Sequence, residues 1–458
     1  MGTQPDYLKV GFTKIEQDLR FLMDCFAGVL TRLGQEEMAA FLPWRGTPPP
    51  EGEAVPARIG QVYSIAFQLL NMVEALAAAE MRSLRESTEG LAAEHGLWGQ
   101  QLKRLRDAGF SPETIAETAG AIRVEPVLTA HPTEAKRLGV LEQHRVLYTL
   151  IEEQNHRSLT PSEVASLRER ITATLERLWR TGEILTSKPS VTDELRNVLY
   201  YLREVFPAVL PKLDERFRFA WEAAGFDPRA IRGGYPRLCF GTWVGGDRDG
   251  HPLVTPEVTA ETLATLRLNA LQMLRQKLAG LAEKMTLSAT AQPVSDALVA
   301  TRERLIAELG KERAGPILSA YADEPWRQSV LLMRARLPVV PGVNGGAREL
   351  ENGYASPREL AADLTVLDES LREVGADRLA DLDVRPVLRI VDRFGFHLAQ
   401  LDIRQNSAFH DKALSQLLTA AGFDGSQFSE WPEAERLRFL ERELRSPRPF
   451  LHSGVSAG

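Results

Sequence analysis

At 458 residues the chain is too long for one small core, and 44% hydrophobic with 26% charged residues is the balance of a globular protein. A net charge of −7 excludes a general nucleic-acid or membrane-surface binder and leaves only local basic sites. The two cysteines, Cys25 and Cys239, build neither a disulfide framework nor a CxxC metal site, which predicts a reducing, cytoplasmic setting.

The opening stretch, MGTQPDYLKVGF, lacks the charged-then-apolar pattern of a signal peptide. Asp6 stands where a myristoylation signal needs Ser or Thr. No run approaches the ~18 consecutive apolar residues of a membrane helix. Helical spacing begins at about 8–33 and recurs in Val62, Ile65, Ala66, Leu69, Val73 and Leu76, which share one face. Proline and glycine between them, in RGTPPPEGEAVP (45–56), mark a loop. Residues 1–120 are therefore expected to form a helical N-terminal region.

A short apolar strand is predicted over 124–130, leading into LTAHPTEAKR (Leu128–Arg137). This places His131 at a strand end, with Lys136 and Arg137 close behind, where barrels and open sheets carry their chemistry. An imidazole there can serve as general acid or base, or as a hydrogen-bonded structural group. Helices follow at about 164–185 and 195–224. A second strand, about 237–244, runs into FGTWVGGDRDGHP (240–252). Gly245 and Gly246 let the backbone approach a ligand or form an anion-binding nest. Asp247, Arg248 and Asp249 alternate in sign, so the same stretch also reads as a tight turn locked by ion pairs, with Trp243 as an active-site wall or a core aromatic. It is not a calcium loop, which needs a third oxygen ligand before the glycine and a glutamate at its end.

Helices at about 257–285, 292–310 and 358–374 flank a Pro/Gly-rich loop at 338–357. A further strand is read at VRPVLRIV (384–391) and a last one at 397–404, where Leu398, Leu401 and Ile403 form the apolar set. Arg404 emerges at its end, suited to bidentate recognition of carboxylate or phosphate or to a structural pair with Asp402. After a helix at about 430–445 the chain stops without a closing element. The fold class expected is mainly α with α/β-barrel strands, a partial TIM barrel buried among helices. Residues 121–458 would form that barrel with long helical insertions, incomplete at the C-terminus.

T-A-H-P-T-E followed by basic residues, G-G-D-R-D-G and D-I-R-Q stand in this order, and together they closely resemble phosphoenolpyruvate carboxylases. LWRTGEILTSKPSVTDELRN (178–197) and GYASPRELAADLTVLDESL (353–371) look like the same family. The second motif departs from the family at His251, where asparagine is usual. The resemblance implies a phosphoenolpyruvate/pyruvate-type barrel and carboxylation of phosphoenolpyruvate by bicarbonate to oxaloacetate and phosphate. It implies His131 and Arg404 as catalytic residues, and Arg248, Trp243, Gly245, Gly246 and Arg137 as substrate-binding. Arg137 and Arg180 fall near positions that hold a sugar-phosphate activator in plant-type members, but Leu138 replaces the second arginine of that pair. Mg2+ or Mn2+ is implied as cofactor, with its ligands, a catalytic lysine and a glycine-rich loop in a C-terminal half whose motifs this chain lacks. That half is thus an expected partner, within a homotetramer. A non-catalytic helical scaffold is the alternative, and a metal-independent phosphate-handling enzyme using His131 is a third.

Overall fold

A computed structural model of the chain describes residues 6–46, 58–129, 138–155, 159–181, 190–231, 234–249, 253–341, 347–349, 353–425 and 428–447. Two compact units result. One comprises residues up to Val124, His131–Ser190 and Phe206–Arg237; the other comprises Glu125–Ala130, Val191–Val205 and Leu238 onward.

The first unit is helical. Its principal core draws on the Tyr7–Arg32, Ile59–Glu89, Leu138–Gln154 and Pro161–Thr181 helices, whose Leu22, Phe26, Ile65, Leu69, Leu147 and Leu175 are all buried. The predicted face Val62, Ile65, Ala66, Leu69, Val73 and Leu76 is that core face. Contrary to the expectation from apolar runs, Ile59–Glu89 is long and apolar enough to cross a membrane by length and composition. Its apolar side is occupied by this packing. Thr160 and Glu163 open the fourth helix as a reciprocal capping box, with Thr160 N–H to Glu163 Oε2 at 2.7 Å. Those bonds hold the Glu163 carboxyl below its usual range. The Trp98–Asp107, Pro112–Ala121 and Phe206–Ala223 helices form a second cluster around Phe217 and Trp221.

The helices of the second unit include Pro256–Lys284, Asp296–Ala320, Pro325–Arg336, Pro357–Glu373 and Arg385–Phe394, and the unit also holds short strands. Proline opens three of the helices at their first position, where its missing N–H costs nothing. Gly310, at φ 74°, interrupts Asp296–Ala320 at the point where the sequence pattern ends that helix, and helical structure then resumes. Asp363 is buried between helices, where it accepts a hydrogen bond from Tyr354 Oη at 2.7 Å and pairs with Arg304. Burial pushes its carboxyl up from the ordinary value.

Two of the sheets are built from β1 (Val127–Leu128), β2 (Gly241–Thr242), β3 (Val339–Pro341), β4 (Ala347–Glu349) and β5 (Gln400–Leu401). β1, β2 and β5 form a parallel sheet in that order, with Val127 opposite Gly241 and Gly241 opposite Gln400. β3 and β4 pair antiparallel. The three strands predicted as barrel members are therefore neighbours and parallel, but each is only two residues long.

Four expectations are corrected. Residues 384–391 are not a strand: Arg385–Phe394 is a helix, with Pro386 in its first turn and Val387, Ile390, Val391 and Phe394 buried at helical spacing. Leu398 is not part of a strand, since its φ is +66°. Ile403 is 53% exposed and not a core residue. The long helix expected at 195–224 is divided by a π-turn at Tyr201–Val205.

Candidate active site at the ends of the parallel strands

β1, β2 and β5 run in the same direction, so Leu128, Thr242 and Leu401 end in one row. The ladder continues past them. Trp243 N–H donates to Leu128 O at 3.1 Å, and Asp402 N–H donates to Thr242 O at 2.9 Å. Two further bonds lock the segments after β2 and β5 together: Arg404 N–H to Gly246 O at 3.0 Å and Arg248 N–H to Arg404 O at 2.8 Å. Asp247 and Arg404 thereby form a parallel bridge.

The glycines are sterically required. Gly245 has φ +83°, and a Cβ on it would lie 2.1 Å from Thr262 Oγ1. A Cβ on Gly246 would lie 2.3 Å from Asp402 O. The close approach that the sequence assigns to a ligand is used on these sides by the Thr262 side chain at Gly245 and by the Asp402 backbone at Gly246.

The side chains then take defined places. The Arg404 guanidinium lies over the Trp243 ring at 4.0 Å from its centroid. Asp247 is 3.8 Å from Arg404, an ion pair longer than a hydrogen bond. The Arg404 side chain is 43% exposed, so its guanidinium, stacked on the indole, remains accessible to solvent. Trp243 Nε1 donates to Asp402 Oδ2 at 3.1 Å. Arg248 Nη2 donates to Thr259 Oγ1 at 2.9 Å, and Thr259 Oγ1 donates to Gly245 O at 2.8 Å. Arg248 Nε is buried without a hydrogen-bond partner among the described residues.

Two predicted pairings differ. Asp402 holds Trp243 rather than Arg404; Asp247 stands beside the arginine instead. The Asp247–Asp249 stretch is not locked by ion pairs among its own residues: backbone bonds to Arg404 and the Thr259 hydroxyl fix it. Cross-strand register decides these partners, and alternation along one strand does not encode it. Thr259 and Thr262 escaped the sequence reading. The only signal for Thr259 is its place one turn into a helix capped by Thr255.

Of the predicted site residues, Trp243, Gly245, Gly246, Arg248 and Arg404 are brought together. His131 and Arg137 lie outside the described residues, as does His251; β1 ends three residues before His131. Arg180 pairs with Glu176 at 2.8 Å in the first unit. Among the described residues no group of three or more His, Cys, Asp or Glu is placed to hold a metal ion.

This arrangement defines a mainly helical α/β protein that presents guanidinium groups at the C-terminal ends of parallel strands, the position where such folds bind anionic substrates. The family model for phosphoenolpyruvate carboxylase matches residues 53–457. The phosphoenolpyruvate carboxylase of Chromobacterium violaceum is 31% identical over 420 residues, covering 89% of this chain and 44% of that protein. Those of Rhodopseudomonas palustris and Nocardia farcinica are each 32% identical, over 86% and 87% of this chain and 42% of each relative. The chain belongs to the phosphoenolpyruvate carboxylase family. It spans under half the length of these relatives.

Proposed function

We propose that this chain supplies the phosphate-binding side of an active site that carboxylates phosphoenolpyruvate with bicarbonate, giving oxaloacetate and phosphate. The observation that carries the reading is the Arg404 fork, backed by Trp243 and fastened to the Gly246–Arg248 backbone at the ends of three parallel strands. Arg404 takes phosphoryl oxygens bidentately, and Arg248 adds a second, partly desolvated cation. Bicarbonate oxygen attacks phosphorus and the bond to the enol oxygen breaks, giving carboxyphosphate and pyruvate enolate. His131 accepts the carboxyl proton of carboxyphosphate. Carbon dioxide and phosphate separate, and the enolate carbon attacks carbon dioxide. Trp243 and Leu401 help keep water from the enolate, which would otherwise be protonated to pyruvate. Gly245 and Gly246 shape the wall, and Arg137 adds positive charge.

The reading includes Mg2+ or Mn2+, but the described residues do not fit one, so no step is routed through it. Its ligands, a catalytic lysine and a mobile loop are assigned to sequence corresponding to the relatives' C-terminal half. That portion would complete a TIM barrel beside the outer strands, where Val127 in β1 is 37% exposed and Ile403, just past β5, 53%. A cytoplasmic homotetramer belongs to the same reading.

The test is an enzyme completed with that half, assayed in parallel for phosphate, pyruvate and oxaloacetate. In His131→Asn, oxaloacetate should fall by ~10²–10⁴-fold, the usual loss for a positioned base. Bicarbonate-dependent phosphate release should persist in part, with pyruvate as by-product. In Arg404→Ala both outputs should fall together with a raised KM. Equal loss of phosphate and oxaloacetate in His131→Asn would refute the role given to the imidazole.

A further inference from the structure

Away from the strand ends, three arginines from three helices of the second unit meet near the end of the Pro325–Arg336 helix. Arg313 Nη2 donates to Ala335 O, and Arg275 Nη1 donates to Val339 O at 3.4 Å. Arg334, in that helix's last turn, is close enough to Arg275 for their charges to repel. Its side chain makes no hydrogen bond or ion pair among the described residues, and its Nε is buried with no acceptor. No carboxylate among the described residues contacts any of the three. The carboxylates nearby are engaged elsewhere: Glu308 holds Arg304 and Arg336, and Glu359 also faces Arg336.

We propose that Arg275, Arg313 and Arg334 form a second oxyanion site, separate from the strand-end cluster, that takes a phosphoryl group from a small molecule. Three clustered cations with no counter-ion among the described residues repel one another, and desolvation adds to the cost. In keeping with this, burial and the charges of Arg334 and Arg313 hold the Arg275 guanidinium below its ordinary range. A helix C-terminus favours cations, and that accounts for Arg313, which bonds to Ala335 O in the last turn, while Arg275 bonds to Val339 O in β3. It does not account for Arg334, whose donor is held out of water with nothing to bond. A dianionic, three-oxygen phosphoryl group matches three forks in charge and in acceptors better than one carboxylate does. All three side chains are half-buried, so the cluster is open to solvent on one side.

The test uses this chain with Arg404→Ala as background, which removes phosphate binding at the strand ends. Inorganic phosphate is titrated at constant ionic strength, read by calorimetry and by thermal unfolding against chloride. Phosphate should still bind the Arg404→Ala chain. Adding Arg334→Gln should weaken it about tenfold or more, the equivalent of one charged hydrogen bond. Without phosphate, Arg334→Gln should leave Tm unchanged or raised, because no internal bond is lost and a repulsion is relieved. Arg334→Lys, which keeps the charge without the fork, should bind with intermediate strength. Phosphate binding abolished by Arg404→Ala alone would support the strand-end site and overturn this one. Binding indifferent to Arg334→Gln, or a Tm lowered by Arg334→Gln in chloride, would also overturn it, the latter marking a structural cation at a helix end.

Discussion

Gly246 is the joint on which the strand-end site turns, and Gly246→Ala is the sharpest single perturbation of it. The new Cβ would stand 2.3 Å from Asp402 O and 3.1 Å from its carbonyl carbon, both backbone atoms that cannot rotate away. A carbon–oxygen contact settles at about 3.3 Å or more, so the segments after β2 and β5 must part by about 1 Å. The bonds Arg404 N–H to Gly246 O and Arg248 N–H to Arg404 O, at 3.0 and 2.8 Å, would then stretch to near 4 Å and be lost. Two neutral hydrogen bonds together are worth about 1–3 kcal/mol. In a unit of this size that lowers Tm by about 2–12 °C. Functionally, Arg404 would leave its place over Trp243, and phosphate binding there should weaken. The control is Gly280→Ala, near the C-terminal end of the Pro256–Lys284 helix, where an added Cβ meets nothing within 4 Å. That change should stabilise by about 0.5–1 kcal/mol. Thermal unfolding with and without phosphate checks both. If Gly246→Ala were as stable as the parent chain and bound phosphate equally, the steric argument for the joint would fail.

Thr259→Val keeps size but removes the acceptor for Arg248 and the donor to Gly245 O, leaving buried polar atoms unpaired. It should cost about 1–3 kcal/mol in denaturant unfolding, with Thr259→Ser restoring most of it. Asp247→Asn should change stability by less than about 1 kcal/mol, because its pair with Arg404 is 3.8 Å long and partly solvated; a larger loss in the same titration would show the ion pair, not the backbone, to fasten the site. Native alkylation followed by peptide mass analysis should modify half-buried Cys239 before Cys25, whose thiol is 3% exposed and pushed up by burial. Equal labelling of both cysteines would contradict the packing of the Tyr7–Arg32 helix.

Motif chemistry was more legible than secondary structure. The GGDR stretch and the DIR stretch were recognisable because glycine pairs and strand-end arginines have few uses, and the two do meet. Strand length was not legible, because an apolar run such as Val384–Val391 satisfies a buried strand and a helix alike until tertiary packing decides. There the decisive residues were Pro386, in a first helical turn, and Val387, Ile390, Val391 and Phe394, buried on one face. Partners across strands were also hidden. Asp402 and Arg404 are two apart, which puts them on one side of an ideal strand, yet register gives Asp402 to Trp243 and Asp247 to Arg404. The arginine cluster was invisible for a similar reason, since Arg275, Arg313 and Arg334 lie on three separate helices.

The same comparison explains how a site can rest on strands of two residues. The ladder does not stop where β2 and β5 stop: it passes through Trp243 and Asp402 to the Arg404–Gly246 and Arg248–Arg404 bonds. Each of those bonds needs a backbone approach that a side chain on residue 246 would forbid. Side-chain charges are then free to face outward, because the main chain, and not the Asp247–Arg404 pair, fixes the geometry. An anion arriving at Arg404 therefore meets a guanidinium that is already oriented by the indole beneath it and that makes no side-chain hydrogen bond among the described residues.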